Sequence, residues 1–143
     1  MDLLGGMHRN TQMTGILAAL TYQGSPLVAR LGDKPAFEGE RLVLVSSPFF
    51  PDKLAKGYGN PAMQVVKSIN RQKVKNLAHA VEILRNAKDD FITFEFDVRA
   101  SGETMVFPRA EMLAATEAIL TDNGIREQAS PELLAVWKET KGK

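Results

Sequence analysis

Gln64-Val65-Val66-Lys67-Ser68-Ile69 is a run rich in β-branched residues, and the polar corner Asn70-Arg71-Gln72-Lys73 follows it directly. β-branched side chains favour extended backbone, and a short polar corner after such a run is typical of a hairpin. Asn76 then precedes Leu77, where its side chain is suited to accept hydrogen bonds from the first amides of a helix. This stretch therefore predicts a strand, a hairpin and a helix that begins at Leu77.

The predicted helix, Leu77 to Ala87, is amphipathic. At about 100° per residue, one face carries the apolar residues Leu77, Ala80, Val81 and Leu84. Along the border of that face lie Asn76, His79 and Ile83. A helix that flanks a groove presents such border side chains to a ligand.

Strand and helix signals alternate along the rest of the chain. Phe91 to Phe96 alternates apolar and polar residues as a half-buried strand does, and Ser101-Gly102 supplies a turn into an antiparallel partner at Thr104 to Phe107. Further predicted elements are a strand at Leu42 to Val45, a short helix at Pro51 to Lys56, a helix from Pro108 to Thr121 and a helix after Ser130-Pro131. This order predicts an α+β fold.

Length and composition limit the classes of function. A chain of 143 residues fits one core, and 18 basic against 17 acidic residues give no global field to attract nucleic acid or anionic membrane. The absence of Cys excludes thiolate catalysis and Cys-ligated zinc, while leaving the redox compartment open. The sequence contains no apolar run long enough for a membrane span, and we expect no cofactor.

Several short motifs occur in the order of one known family. Ser47-Pro48 after the Leu42 strand is similar to that family's Ser-Pro-Ala element, and Lys56-Gly57-Tyr58 is similar to its Ala-Gly-Leu element. The strand and corner at Gln64 to Asn70 resemble its strand and Asn-Gly hairpin, although Arg71 stands where the family usually has Gly. Leu42 to Phe96 thus resembles a PDZ domain in its bacterial, circularly permuted form.

The C-terminal part extends the resemblance. The segments Phe94-Glu95-Phe96, Met105-Val106-Phe107, Ala114 to Leu120 and Ser130-Pro131-Glu132-Leu133-Leu134 are together similar to the second PDZ domain of plant-type Deg proteases. The resemblance covers about Met13 to Val136. It implies a small, partly open antiparallel β-barrel or sandwich flanked by helices. The expected division is a leader or linker at residues 1–12, a PDZ-like domain at 13–107 and a C-terminal helical extension at 108–143 packed on it.

The resemblance also implies a function without bond chemistry. In PDZ domains a peptide adds a strand to a sheet edge, and its terminal carboxylate binds backbone amides of a loop. The residues expected to bind peptide here are Thr14, Gly15, Ile16, Leu17, Asn76, His79, Ala80 and Ile83. Of these, Thr14 to Leu17 stand where the resemblance implies the carboxylate-binding loop and the first strand. The chain is thus expected to be a non-catalytic module of an HtrA/Deg-like serine protease, used for substrate capture or oligomer assembly in protein quality control. The alternative is a degenerate PDZ domain whose groove is blocked and which acts only in oligomerisation.

Other chemistries find little support in the sequence. His8 and His79 are the two histidines, neither follows a nucleophile motif, and we expect no catalytic triad. The carboxylates Asp89-Asp90 and Glu95 with Asp97 match no calcium loop, so no metal site is expected. A basic cluster on the predicted hairpin, Lys67, Arg71, Lys73 and Lys75, leaves an RNA-binding adaptor as a third possibility, but it lacks interleaved aromatic residues.

Two apolar features indicate a contact surface. Phe49-Phe50 lies between Pro48 and Pro51, where both rings cannot easily face one small core. Trp137, in the last predicted helix, docks on this domain or on a neighbour. The expected partners are peptide C-termini or neighbouring protease and PDZ domains, with a homo-oligomeric parent, no nucleic acid and no membrane span. If that parent is a bacterial HtrA-type protease, a periplasmic or cell-envelope location is expected.

Overall fold

The computed structural model describes residues 3–97 and 104–139, with side chains from Met13 onward. Four strands form one antiparallel sheet: β1 Val66–Ile69, β2 Gln72–Lys73, β3 Phe91–Phe96 and β4 Met105–Pro108. Their order is β2-β1-β3-β4. The fold is the predicted PDZ-like α+β arrangement, with an open sheet that does not close into a barrel. The predicted turn at Ser101-Gly102 lies outside the described residues.

The hairpin between β1 and β2 confirms the sequence prediction. Ser68 pairs with Lys73 and Ile69 pairs with Gln72, so Asn70 and Arg71 form a two-residue turn. Both have positive φ, 46° and 65°, as the primed turns that match strand twist require. The Asn70 side chain also accepts a hydrogen bond from the Thr93 amide at 2.7 Å. The turn is thereby fastened to β3.

One face of the sheet packs against helix α3, Leu77–Asn86. The buried cluster between them consists of Ile69, Ala80, Ile83, Ala87 and Ile92. A second buried cluster, Phe96, Met105 and Phe107, continues along the same sheet. The prediction that placed Ile83 on the border of α3 and Leu77 in its core face is wrong. Ile83 is only 3% exposed and Leu77 is 51% exposed, because α3 turns its Ala80-Ile83-Ala87 stripe to the sheet.

The N-terminal segment differs most from expectation. Helix α1, Leu3–Tyr22, includes Thr14 to Leu17, so the predicted loop and first strand there are wrong. The apolar residues Met13, Ile16, Leu17 and Leu20 recur at helical spacing, and Ala, Leu, Met and Gln have high helix propensity. The chain then turns into the short helix α2, Pro26–Ala29, where Ser25 Oγ accepts from the Leu27 amide.

The predicted Leu42 strand is reduced to an isolated antiparallel bridge between Leu44 and Val65. It is held by hydrogen bonds from the Val45 amide to the Gln64 carbonyl at 3.0 Å and from the Val66 amide to the Val43 carbonyl at 2.7 Å. A single 3-10 turn, Lys53–Ala55, follows where a short helix is predicted, and Asp52 caps it. Segment 43–45 therefore extends the sheet beside the N-terminal end of β1.

Two C-terminal helices complete the described fold, α4 Arg109–Asp122 and α5 Pro131–Lys138. Pro108 directly precedes α4 and Pro131 is the first residue of α5, in agreement with the sequence prediction. Helix α4 follows β4 directly, and its Met112 packs on both buried clusters. Helix α5 returns to pack on α3.

The Arg71 backbone provides a test of the hairpin. Replacement of Arg71 by Gly removes a left-handed non-glycine residue, and we expect stabilisation by about 0.5–1 kcal/mol. Gln72→Gly, within β2, is the matched control and is expected to destabilise the fold by a similar amount. Urea unfolding of both variants measures the difference. A loss of stability in Arg71→Gly would contradict the turn geometry.

Candidate functional site

The N-terminal end of α3 is fastened to the loop that precedes segment 43–45. Asn76 Oδ1 accepts from the His79 amide at 2.9 Å, which confirms Asn76 as the helix cap, while its Nδ2 donates to the Gly39 carbonyl at 3.0 Å. The Lys75 amide donates to His79 Nδ1 at 3.3 Å. Gly39 has a φ of 80°, so a side chain at that position would be strained. Asn76 and His79 thus join the helix to its neighbouring loop.

The residues predicted to bind peptide do not surround one groove in this conformation. Thr14, Gly15, Ile16 and Leu17 lie within α1, where main-chain amides donate to carbonyls one turn earlier in the helix. Ala80 and Ile83 are buried against the sheet. Asn76 and His79 make the loop contacts above. Peptide binding by these eight residues stays a prediction.

The outer face of α3 is covered by α5. Leu77, Val81 and Leu84 face this side, and between the two helices lies an apolar cavity of about 300 Å³. Its walls on the other side are Gln128, Ala129, Leu133, Leu134 and Trp137. Trp137, predicted as a contact residue, therefore docks on its own domain. Sequence periodicity identified the apolar residues of α5 but carried no signal for which surface they would cover.

Arg85 is the main polar link between α3 and α5. Its Nη1 donates to the Val136 carbonyl and lies 3.7 Å from Glu139 Oε2, while its Nη2 lies 3.6 Å from Glu82 Oε1. Only 11% of the Arg85 side chain is exposed. These partners, rather than water, therefore stabilise its positive charge. The helical periodicity of α3 carries no signal for this role of Arg85, because it depends on where α5 packs.

A second ion pair shapes the loop before segment 43–45. Arg30 binds Glu40 through two parallel contacts of 3.1 and 3.0 Å, and the Ala36 amide donates to Glu40 Oε2 at 2.6 Å. The hydrogen bond from Arg30 and that from Ala36 lower the pKa of Glu40 from 4.5 to about 2. The same pair raises the pKa of Arg30. This pair closes the loop whose end, Gly39, contacts Asn76.

An apolar cleft opens beside the second buried cluster. We call it the aromatic cleft: its walls come from residues 45–55, the sheet and α4, including Phe49, Phe50, Phe94, Phe107, Met112 and Ile119, and its volume is about 290 Å³. Phe107 forms edge-on contacts with Phe49, Tyr58 and Phe94, with centroid distances of 6.2, 5.3 and 6.0 Å. Phe49 and Phe50 remain 40% and 45% exposed. Their predicted exposure is confirmed, and their role in a contact surface stays a prediction.

The polar residues of the cleft wall have hydrogen-bond partners of their own. Asp52 Oδ1 accepts from the Leu54 amide at 2.8 Å, and Thr116 Oγ1 donates to the Met112 carbonyl at 2.9 Å. A buried water needs two to four polar partners, and this wall offers few. The cleft therefore favours an apolar occupant.

The two edges of the sheet differ in accessibility. At β4, the Tyr58 hydroxyl donates to the Val106 carbonyl at 2.8 Å and accepts from the Val106 amide at 3.0 Å. Pro108, the next outward residue on that strand, has no amide proton. At segment 43–45, no hydrogen bond among the described residues uses the main-chain groups of Leu44, which point away from β1. The β4 edge is thus capped and the Leu44 edge is open.

The remaining charged groups include a basic cluster at the β1–β2 hairpin. Lys67, Arg71 and Lys73 are exposed on or beside this hairpin, and Lys75 follows β2. Among the side chains that the structure describes, in residues 13–97 and 104–139, no group of three His, Asp or Glu residues is placed to hold a metal ion. RNA binding by the basic cluster stays a prediction.

Comparisons with known proteins agree with the fold. A family model described as PDZ domain matches residues 18–132. The chain is also 29% identical over 98 residues to Protease Do-like 2, chloroplastic, from Arabidopsis thaliana. The aligned part is 68% of this chain and 16% of that protein, so the chain spans only a small part of its relative. None of the helices in the described ranges is both long and apolar enough to cross a bilayer.

Removing the Arg85 guanidinium should loosen α5. For Arg85→Met we expect the α3–α5 contact to weaken by about 1.5–3 kcal/mol, because a charged hydrogen bond is lost. Trp137 is the single tryptophan, so its emission should shift to longer wavelength and its quenching by iodide should rise. Lys88→Met, just beyond α3, is the matched control. Unchanged Trp137 emission in Arg85→Met would contradict the role of Arg85.

Acid should weaken the Glu40 contact. Because the pKa of Glu40 is lower in the folded state than its ordinary value, its contribution to stability is present above about pH 4.5 and is lost as the pH falls toward 2. Glu40→Gln should therefore lower the melting temperature at pH 6 and make little difference at pH 2. Glu38→Gln is the control. A difference independent of pH would show that the charge of Glu40 is not involved.

Proposed function

The chain belongs to the PDZ domain family, and from this we propose that it is the non-catalytic interaction module of an HtrA/Deg-like serine protease, acting in assembly of that protease. The similarity to a Do-like protease supports such a parent. We also propose that the parent is an active serine protease. The observation that carries an assembly role is the packing of α5 on the outer face of α3. That packing covers the Leu77-Val81-Leu84 side of α3, while Ala80 and Ile83 are buried against the sheet, so both apolar sides of the helix are in contact with its own chain.

Two further features favour assembly over the capture of peptide C-termini. The N-terminal segment expected to supply a carboxylate-binding loop and strand is helical in α1. The β4 edge is occupied by the Tyr58 hydroxyl, so strand addition there would require Tyr58 to leave Val106. Meanwhile the exposed rings of Phe49 and Phe50 offer apolar area for contact with another domain or subunit.

Peptide capture is the second candidate, and the open Leu44 edge favours it. An extended peptide pairing with Leu44 would gain two main-chain hydrogen bonds without displacing any within the sheet. The Arg41 amide donates to the Lys75 carbonyl at 2.9 Å, which places two basic residues at the start of this edge. An acidic peptide would fit that end best.

Three measurements on the intact chain test the proposal. Casein should remain uncleaved, and light scattering should show a molar mass that rises above that of the monomer as concentration increases. In amide NMR, peptides with free hydrophobic C-termini should leave Gly15, Ile16 and His79 unshifted if assembly is the function. A monomer at all concentrations that binds these peptides would favour capture and overturn the assembly role.

Leu44→Pro separates the two candidates further. The Leu44 amide points away from β1, so proline removes the outward donor without removing a bond of the sheet. Peptide-induced shifts at the neighbouring Val43 and Val45 amides that vanish in Leu44→Pro would assign capture to this edge. Self-association that persists in Leu44→Pro is expected if assembly uses other surfaces.

A further inference from the structure

Helix α1 carries an apolar stripe that its own chain leaves largely uncovered. Met13, Ile16 and Leu17 are 57%, 48% and 46% exposed, while Leu20 is buried where the chain turns toward α2. Among the described helices and strands, α2 is the element with which α1 packs extensively. This side of α1 is open to solvent.

The composition of α1 is unusual for a helix that faces water. Residues 10–29 contain no Asp, Glu, Lys or Arg. Helices on a protein surface normally carry charged residues on their exposed side, and uncharged apolar stripes are normally covered. The stripe on α1 is therefore an apolar surface that α2 covers only in part.

The aromatic cleft is the complementary feature of the same chain. Its wall is almost wholly apolar, and its volume of about 290 Å³ is nearly twice that of an apolar cavity of about 150 Å³ known to hold benzene. The cleft thus has room for about two aliphatic side chains, each about the size of benzene. Exposed Phe49 and Phe50 at its mouth provide further apolar area for a helix that lies across it.

We propose that the aromatic cleft of one chain receives the Ile16-Leu17 stripe of α1 from a second copy, so that two copies exchange their N-terminal helices in a symmetric dimer. In a two-fold arrangement the same contact forms twice, and both unpaired surfaces of each chain are covered. The mode is a helix in an apolar groove, with anchors three and four residues apart. This inference rests on the proposed assembly function and names the surfaces that would perform it.

Electrostatics permit this pairing of identical chains. The net charge of +1 gives little repulsion between copies. Asp52, the charged residue of the cleft wall, caps the 3-10 turn through Oδ1. The uncharged stretch of α1 would then bind the cleft wall chiefly through apolar contacts. Such an interface should be insensitive to salt, unlike one held by the basic hairpin.

Cysteine cross-linking tests the contact directly, because the chain has no Cys. Ile16→Cys is placed in one preparation and Ala55→Cys, in the cleft wall, in another. The mixture should form a disulfide between chains under mild oxidation, and each variant alone should form much less. Tyr22→Cys is the control on the same helix: it is 94% exposed and should not cross-link to Ala55→Cys. A double variant, Ile16→Cys with Ala55→Cys, that cross-links within one chain at high dilution would overturn the exchange.

Sedimentation equilibrium gives the second readout. Ile16→Asp should weaken self-association by at least about 100-fold, since the buried aliphatic group is lost at two symmetric sites. Tyr22→Asp should leave it unchanged, and an unaltered amide NMR pattern for the sheet shows that the fold is intact. If Ile16→Asp self-associates as the native chain does and the 16–55 cross-link is absent, the helix contact is wrong while the assembly function stands. If the native chain is monomeric throughout, both are wrong.

Discussion

Helix α3 has one broad apolar face, and the burial of that face against two neighbouring elements constrains the whole domain. Its Ala80-Ile83-Ala87 side is closed by the sheet, with Ile69 and Ile92 beneath it. Its Leu77-Val81-Leu84 side is left for another element, and α5 lies there. Exposed aliphatic side chains cost roughly 1.5–3 kcal/mol each relative to burial, so this second contact matters in a small domain. The position of α5 follows from that requirement.

Covering α3 in this way has a consequence for function. A PDZ domain ordinarily works by offering a sheet edge to a partner's backbone. Here the β4 edge is capped by Tyr58, α5 lies on the helix, and the segment expected to supply a first strand is helical. Among the accessible surfaces are the apolar side chains of α1, those of Phe49 and Phe50, and the short Leu44 edge. The proposed assembly would use the apolar side chains, whereas peptide capture would use the Leu44 edge.

The sequence predicted well those elements whose formation depends on local chemistry. The Asn76 cap, the positive-φ corner at Asn70-Arg71 and the alternation of Phe91 to Phe96 each fix conformation within a few residues, and all three are found. It failed where tertiary context decides. Ile16 to Leu20 is a short apolar run that fits either a strand or a helix, and the family resemblance favoured the wrong one. The angular pattern of α3 divides its residues between core and border, but it does not fix which side faces the sheet. In the structure the helix is rotated slightly from the predicted orientation, and Ile83 lies in the core.

A solution NMR measurement of contacts between α5 and α3 tests whether α5 covers the outer face of α3. If it does, the proposed assembly must use other surfaces. Nuclear Overhauser effects from the indole protons of Trp137 to the methyl groups of Val81 and Leu84, with slow amide exchange in α5, are the predicted result. An indole without such contacts, together with fast exchange throughout residues 131–138, would contradict it.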